Sequence, residues 1–160
     1  MAINFATGGV QRHPAFSGKV VCTLRVSGWV TTSSGWQAIT DLDGGDITIQ
    51  RAQSEIIVLC HLSTEVDGSG ASHGMARLQR SNDNGSSWHS VTQFNITGGI
   101  DNDIGDGFHY RIDHNQSAGT TYRFRVQYRK GNTTGNHTIA DNGPGEATRA
   151  SLIYWEQHTD

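Results

Sequence analysis

Residues Thr121 to Arg129 read TYRFRVQYR, and in an extended chain Tyr122, Phe124, Val126 and Tyr128 fall on one side while Arg123, Arg125, Gln127 and Arg129 fall on the other. A strand turns its side chains to opposite faces at every residue, so this segment builds an apolar, aromatic-rich face for a core and a basic face for water or a partner. It constrains the chain to a β-protein with one working sheet surface, and nothing in the segment speaks of catalysis.

The rest of the chain agrees with a β-fold. Twenty Gly among 160 residues, with many Ser, Thr, Asn and Asp and only two Pro, suit short strands joined by tight turns. Good helix formers are scarce, which leaves helix a minor part at most. The length fits one domain that buries its own core without disulfide or metal staples. A formal net charge of −3 argues against a partner held by bulk electrostatics, such as nucleic acid. The first residues lack the basic start and apolar run of a signal peptide, and no later run is long enough to cross a bilayer, so the expectation is a soluble protein made in a cytoplasm. In that compartment Cys22 and Cys60, both inside apolar strand patterns, are expected as free buried thiols. The Asn-x-Ser/Thr triplets at Asn95, Asn115, Asn132 and Asn136 then read as by-products of polar loops.

Residues 1–18 show no periodicity and are expected to form an irregular arm, with the domain over 19–160. Lys19 to Ser27 alternates, with Val20, Cys22, Leu24 and Val26 on one face. Trp29 and Trp36 flank a TTSSG turn that leads to a short strand at Gln37 to Thr40; DLDGGD at Asp41 to Asp46 reads as a turn, followed by a strand at Ile47 and Ile49. Glu55 to Val66 is the most hydrophobic segment and is expected as a central strand covered on both faces. Met75 to Arg80, Trp88 to Phe94, Phe108 to Asp113, the opening segment, Thr138 with Ile139, and Ala150 to Glu156 complete the set. Eight to ten short, evenly spaced strands predict an all-β antiparallel sandwich or jelly roll.

Several motifs carry candidate chemistry. Ser81 to Trp88, SNDNGSSW, fits the Asp box at Ser81, Asp83, Gly85, Ser87 and Trp88. Its physics is local: the carboxylate accepts backbone N–H groups across the turn, Gly permits positive φ, and Trp88 is expected to pack the hairpin onto the core. Sialidases carry this motif several times over in a much longer propeller, so here it reads as a structural hairpin. Asp101, Asp103 and Asp106 in DNDIGDG, and Asp41, Asp43 and Asp46 in DLDGGD, are the candidate oxygen ligands for Ca²⁺. Neither set has the EF-hand spacing or its closing Glu, and no His/Cys cluster, nucleophile elbow or phosphate loop is present, so neither metal, cofactor nor enzymatic activity is expected. Arg123, Arg125, Arg129 and Lys130 form the one concentrated basic feature. It is either a solvated strand face or a contact for an acidic protein surface or anionic glycan. Single-stranded nucleic acid is disfavoured because the segment's aromatics point the other way.

The segments GKVVCTLRVSG, TTSSGW, SEIIVLCHLSTEVDGSG, GTTYRFRVQYRKGN and ATRASLIYWEQ, from Gly18 to Gln157, resemble a group of small virion proteins of tailed phages, many of them marine. The last two segments also resemble the end of the C1q and tumour-necrosis-factor-like jelly rolls. The collagen-like stalk, the Cys positions and the secretory signal of animal C1q members are absent, which separates this chain from vertebrate-type signalling. The resemblance implies a homotrimer on the outside of a phage particle, with Tyr122, Phe124, Tyr128, Leu152, Tyr154 and Trp155 as the subunit seam. It implies a capsid decoration protein partnered by the major capsid protein or another virion protein, with the arm on the shell. The rival is a tail-fibre tip that binds host glycans through loops at Asp67 to His73, Thr97 to Asp106 and Asn132 to Gly145. Neither reading places the chain in a membrane. If no metal is bound, excess EDTA will leave the melting temperature unchanged in a thermal unfolding scan.

Overall fold

The computed structural model describes residues 20–25, 28–52, 54–66, 72–98, 104–112, 117–131, 135–139 and 150–157. Among them every helix or strand element is a strand, eleven in all: β1 Val20–Arg25, β2 Trp29–Thr31, β3 Gln37–Asp43, β4 Ile47–Thr48, β5 Glu55–Val66, β6 Ser72–Ser81, β7 His89–Gly98, β8 Ile104–Ile112, β9 Thr121–Lys130, β10 His137–Ile139 and β11 Ala150–Gln157. The proposed arm, 1–18, lies outside the described residues.

All pairings are antiparallel, and they nest. β1 pairs with β11, β3 and β4 with β9, β5 with β8, and β6 with β7. Counting β3 and β4 as one, the eight principal strands therefore pair first with last, second with seventh, third with sixth and fourth with fifth. This is one long hairpin rolled on itself, the jelly roll. The rolled ladder divides into two sheets, β1-β11-β5 with β8, β10 and β2 in the first, and β3-β9-β6-β7 with β4 in the second.

Alternation along β9 decides what lies between them. Tyr122, Phe124, Val126 and Tyr128 are buried, and so are Ala150, Leu152 and Tyr154 of β11 and Ile56, Val58, Cys60 and Leu62 of β5. Phe124 meets Tyr154 edge to face across the interior, with ring centroids 4.9 Å apart. Two buried phenols find partners: the Tyr154 hydroxyl donates to the carbonyl of Gly45, and the Tyr128 hydroxyl lies 2.6 Å from Nδ1 of His137. Burial holds the Tyr128 phenol well above its usual range, so it stays protonated and donates to the imidazole. Gly74 is required beneath that ring, because a Cβ there would sit 1.8 Å from the Tyr128 oxygen. Glu156, also buried, accepts the backbone N–H of Gln50 at 2.9 and 3.0 Å and of Arg51 at 3.1 Å, tying the segment after β4 to the last strand.

Four expectations change. DLDGGD is not simply a turn: β3 runs on through Asp43, with an irregularity between Ala38 and Asp43 where Asp41 takes φ 68°. β8 begins at Ile104, inside the segment read as an acidic loop, because Ile104 to Asp106 pair with Leu62 to Thr64 of β5. β5 is central in its sheet and covered on both sides at Glu55, Ile57 and Ser63, but its outer side opens at Leu59 and His61, which are exposed. β1 turns the other way round: Val21 is buried opposite Tyr154, while Cys22 is exposed opposite Ile153. Cys22 is thus not a buried thiol. Both cysteines are free, and they lie on opposite faces of one sheet, where no disulfide can join them.

Replacing Glu156 by Ala removes the acceptor of two backbone N–H groups and will lower the unfolding free energy by about 1–2 kcal/mol in urea denaturation. His137 gives a pH signature. Burial, then the charges of Lys130 and His73, bring it down from 6.5 to about 4. The unfolded chain therefore takes up a proton that the folded one refuses, and stability is lost as pH falls from about 6.5 toward 4, at up to about 1.4 kcal/mol per pH unit. Urea midpoints over this range will fall less steeply for His137→Gln than for the wild type.

Candidate functional site

The outward positions of β9 and β6 alternate in chemistry as well as in direction. Across the pair, Arg129 faces Met75, Gln127 faces Arg77, Arg125 faces Gln79 and Arg123 faces Ser81. Guanidinium and amide groups thus form a checkerboard. The Nε of Arg77 donates to Oε1 of Gln127 at 2.7 Å, and the Nε of Arg125 donates to Oε1 of Gln79 at 2.8 Å. Arg123 donates from Nε to Asp46 at 2.9 Å and from Nη2 to Asn84 at 3.0 Å, and Arg129 donates to the Met75 sulfur.

Two tryptophans reach this face from outside the β6–β9 pair. Arg77 and Arg129 lie over the Trp36 ring, 4.3 and 4.8 Å from its centroid, and Arg125 lies 4.1 Å from that of Trp88. The aromatics of β9 do point inward, but indole rings and arginines nonetheless share the outer face. Partial burial, and behind it the repulsion of Arg125 and Arg129, hold Arg77 below the usual arginine range. Burial also lowers Arg125, against the pull of Asp43 across the strand pair. The hydrogen bond to Asp46 raises Arg123.

Lys130 does not belong with these arginines. Its position in β9 has the parity of Tyr128, and its ammonium donates to the carbonyl of Gly135 at 2.9 Å. Arg77 takes the place that Lys130 was expected to fill. The signal was the alternation of Met75, Arg77 and Gln79 against Ala76 and Leu78, read only as a strand.

The Asp box closes the β6–β7 hairpin beside this face. Asp83 Oδ1 accepts the Ser81 hydroxyl at 2.7 Å and the Ser87 N–H at 2.9 Å, and Oδ2 accepts the Ser87 hydroxyl at 2.5 Å. The hydroxyls of Ser87 and Ser81 lead in pulling this carboxyl down to about 2, so the turn keeps its charge until strongly acidic pH. Asn84 and Gly85 take the positive φ values of the turn. Trp88 does not pack into the core as expected; it stands half-exposed beneath Arg125, because its neighbours on the outer face offer a cation.

The residues implied as a subunit seam are placed differently. Tyr122, Phe124, Tyr128, Leu152 and Tyr154 are buried within a single chain and contact one another across its core, which leaves them no surface for a neighbour. Trp155 alone of that set is on the outer face, half-buried. Asp101 and Asp103 lie outside the described residues, and Asp106 pairs with Leu62. Among the described residues no three His, Cys, Asp or Glu side chains are grouped to hold a metal.

No family model and no curated protein matches the chain. Among solved structures it is similar to that of infectious bursal disease virus Gt strain, with TM-score 0.48 and 13% identity over 96% of this chain and 42% of that one. The VP2 subviral particle of the same virus gives TM-score 0.46 and 14% identity over 99% and 42%. The Eiger TNF of S. frugiperda gives TM-score 0.43 and 8% identity over 88% and 96%. The chain thus spans less than half of the viral chains it is compared with. The jelly-roll assignment rests on the strand pairing itself.

Proposed function

We propose that this chain is a virion structural protein of a phage, a homotrimeric decoration protein on the outer surface of the capsid. The observation that carries the reading is an apolar outer face on the first sheet. Across β1, β11 and β5 the register sets Cys22 beside Ile153 and Leu59, and Trp155 beside Ile57. Cys22 and Leu59 are exposed, Leu59 by 38%, with Ile153 and Trp155 half-buried beside them and Ile57 covered. Apolar side chains gathered around an exposed Leu59 in the middle of a sheet make a candidate contact for a partner. A cyclic assembly of identical chains covers it without leaving an open end.

The trimer and the virion rest on the resemblance to C1q-like and phage chains, with the seam moved from the buried aromatics to this outer face. Jelly rolls serve capsids and lectins alike, so the fold accords with either role. In this reading the arm, 1–18, lies on the shell, the chain is made in the host cytoplasm, and decoration stabilises the capsid by binding its assembled form. The function is one of assembly and uses no catalytic group. A tail-fibre tip is the second reading, favoured by the arginine face on the opposite sheet; hundreds of copies per particle support the capsid and a few dozen the tail.

Light scattering at micromolar concentration will give three times the chain mass for the wild type and the chain mass for Leu59→Glu, with unchanged circular dichroism. A monomeric wild type overturns the seam.

A further inference from the structure

The arginine face is built beyond what a solvated strand requires. A freely solvated arginine is mobile and hydrated on all sides, whereas here the Nε edges of Arg77 and Arg125 are held by Gln127 and Gln79 and their flat faces lie on Trp36 and Trp88. Gln79 and Gln127 are themselves buried, 5% and 8% exposed, so the lattice is fixed from beneath. Among the described residues no partner engages the terminal Nη edges of Arg77 and Arg125, the forks that take a carboxylate through two parallel hydrogen bonds. The described partners of Arg77 and Arg129 are an amide, a thioether and an indole, none of which neutralises them. Arg77 and Arg125, diagonal neighbours in the lattice, are held at close quarters despite their mutual repulsion, in a chain whose net charge is negative.

The strip continues sideways. Gln93 and Asn95 of β7, both exposed, stand opposite Arg77 and Met75. From β3 to β7 the face crosses four strands at about 4.8 Å spacing, or about 14 Å. Its rows run Gln127, Arg77, Gln93 and Arg129, Met75, Asn95 from β9 to β7, with Ala38 and Asp43 of β3 at the edge.

We infer that the outer face of β9, β6 and β7 binds an acidic polysaccharide, its carboxylates taken by the forks of Arg77 and Arg125 with the charge of Arg129 beside them, and its hydroxyls by Gln93 and Asn95. The composition selects this occupant over two others. A folded protein partner calls for an interface whose centre is apolar and poor in charge, and the centre here is guanidinium and amide. Single-stranded nucleic acid calls for open aromatic faces on which bases stack, and Trp36 and Trp88 already carry arginines. The inference does not rest on the virion reading, since the apolar seam lies on the other sheet.

The test is calorimetric titration of the full-length wild type with a short oligogalacturonate, which removes avidity from the measurement. A neutral maltooligosaccharide, a glutamate oligopeptide of equal charge and oligo-dT are run alongside. Oligogalacturonate is expected to bind at least tenfold more tightly than each of the three. Equal or tighter binding of the peptide or of oligo-dT overturns the assignment in favour of an acidic protein or nucleic acid, and no binding of oligogalacturonate overturns it outright. Arg77→Lys with Arg125→Lys, which keeps the charge and removes the forks, is expected to weaken binding tenfold or more; unchanged affinity shows charge alone at work and overturns the geometry. Leu59→Glu is expected to bind as the wild type does, so loss of the trimer and loss of the glycan site are read separately.

Discussion

The contact of Phe124 with Tyr154 across the interior is the one on which the other features depend. β9 is flanked by β3 and β4 on one edge and β6 on the other, and β11 lies between β1 and β5, so this ring pair joins the inner strands of both sheets. Large aromatic side chains dominate the burial that holds a sandwich together, and truncating one costs about 3–5 kcal/mol. Their phenols are the complication, because an unpartnered hydroxyl in the core would offset much of that gain. Gly45 and His137 supply acceptors for Tyr154 and Tyr128, and Gly44 and Gly74 leave the room that both rings occupy.

Committing the aromatics to the interior sets the character of both outer surfaces. In β9 the residues between them are Arg, Arg, Gln and Arg, so the second sheet turns a polar, basic lattice outward. In β11 and β5 the outward residues include the half-buried Ile153 and Trp155 and the exposed Leu59, with Ile57 covered, so the first sheet turns a small apolar cluster outward. The sandwich is therefore two-sided.

Much of the fold was legible from alternation alone. β5 spans the residues that its hydrophobicity marked, and β9 and β11 differ from expectation by one residue at an end. Alternation was weaker where both faces of a strand carry apolar side chains. In β1, Val20, Cys22 and Leu24 make the richer apolar set, yet register with β11 sends Cys22 outward and Val21 into the core. The acidic segments misled for another reason: Asp and Gly favour turns, but β8 has the long edge of β5 to pair with, and tertiary pairing outweighs that local preference.

The candidate site was half legible for the same physical reason. The pleat of one strand requires that Arg123, Arg125 and Arg129 share a face, and any extended form of that segment obeys it. Which groups stand beside them depends on strand pairing between residues about fifty positions apart, and on Trp36 and Trp88 arriving from two separate turns. An all-β chain and the two-faced nature of its key strand are therefore readable locally, because they follow from backbone geometry within a few residues. Strand pairing dictates the rest: the aromatics of β9 and β11 are interior, Lys130 leaves the basic face and Arg77 joins it, and Leu59 with Ile153 and Trp155 comes to the outer side of the opposite sheet. Those outcomes follow from which strands become neighbours, and no single strand encodes its neighbour.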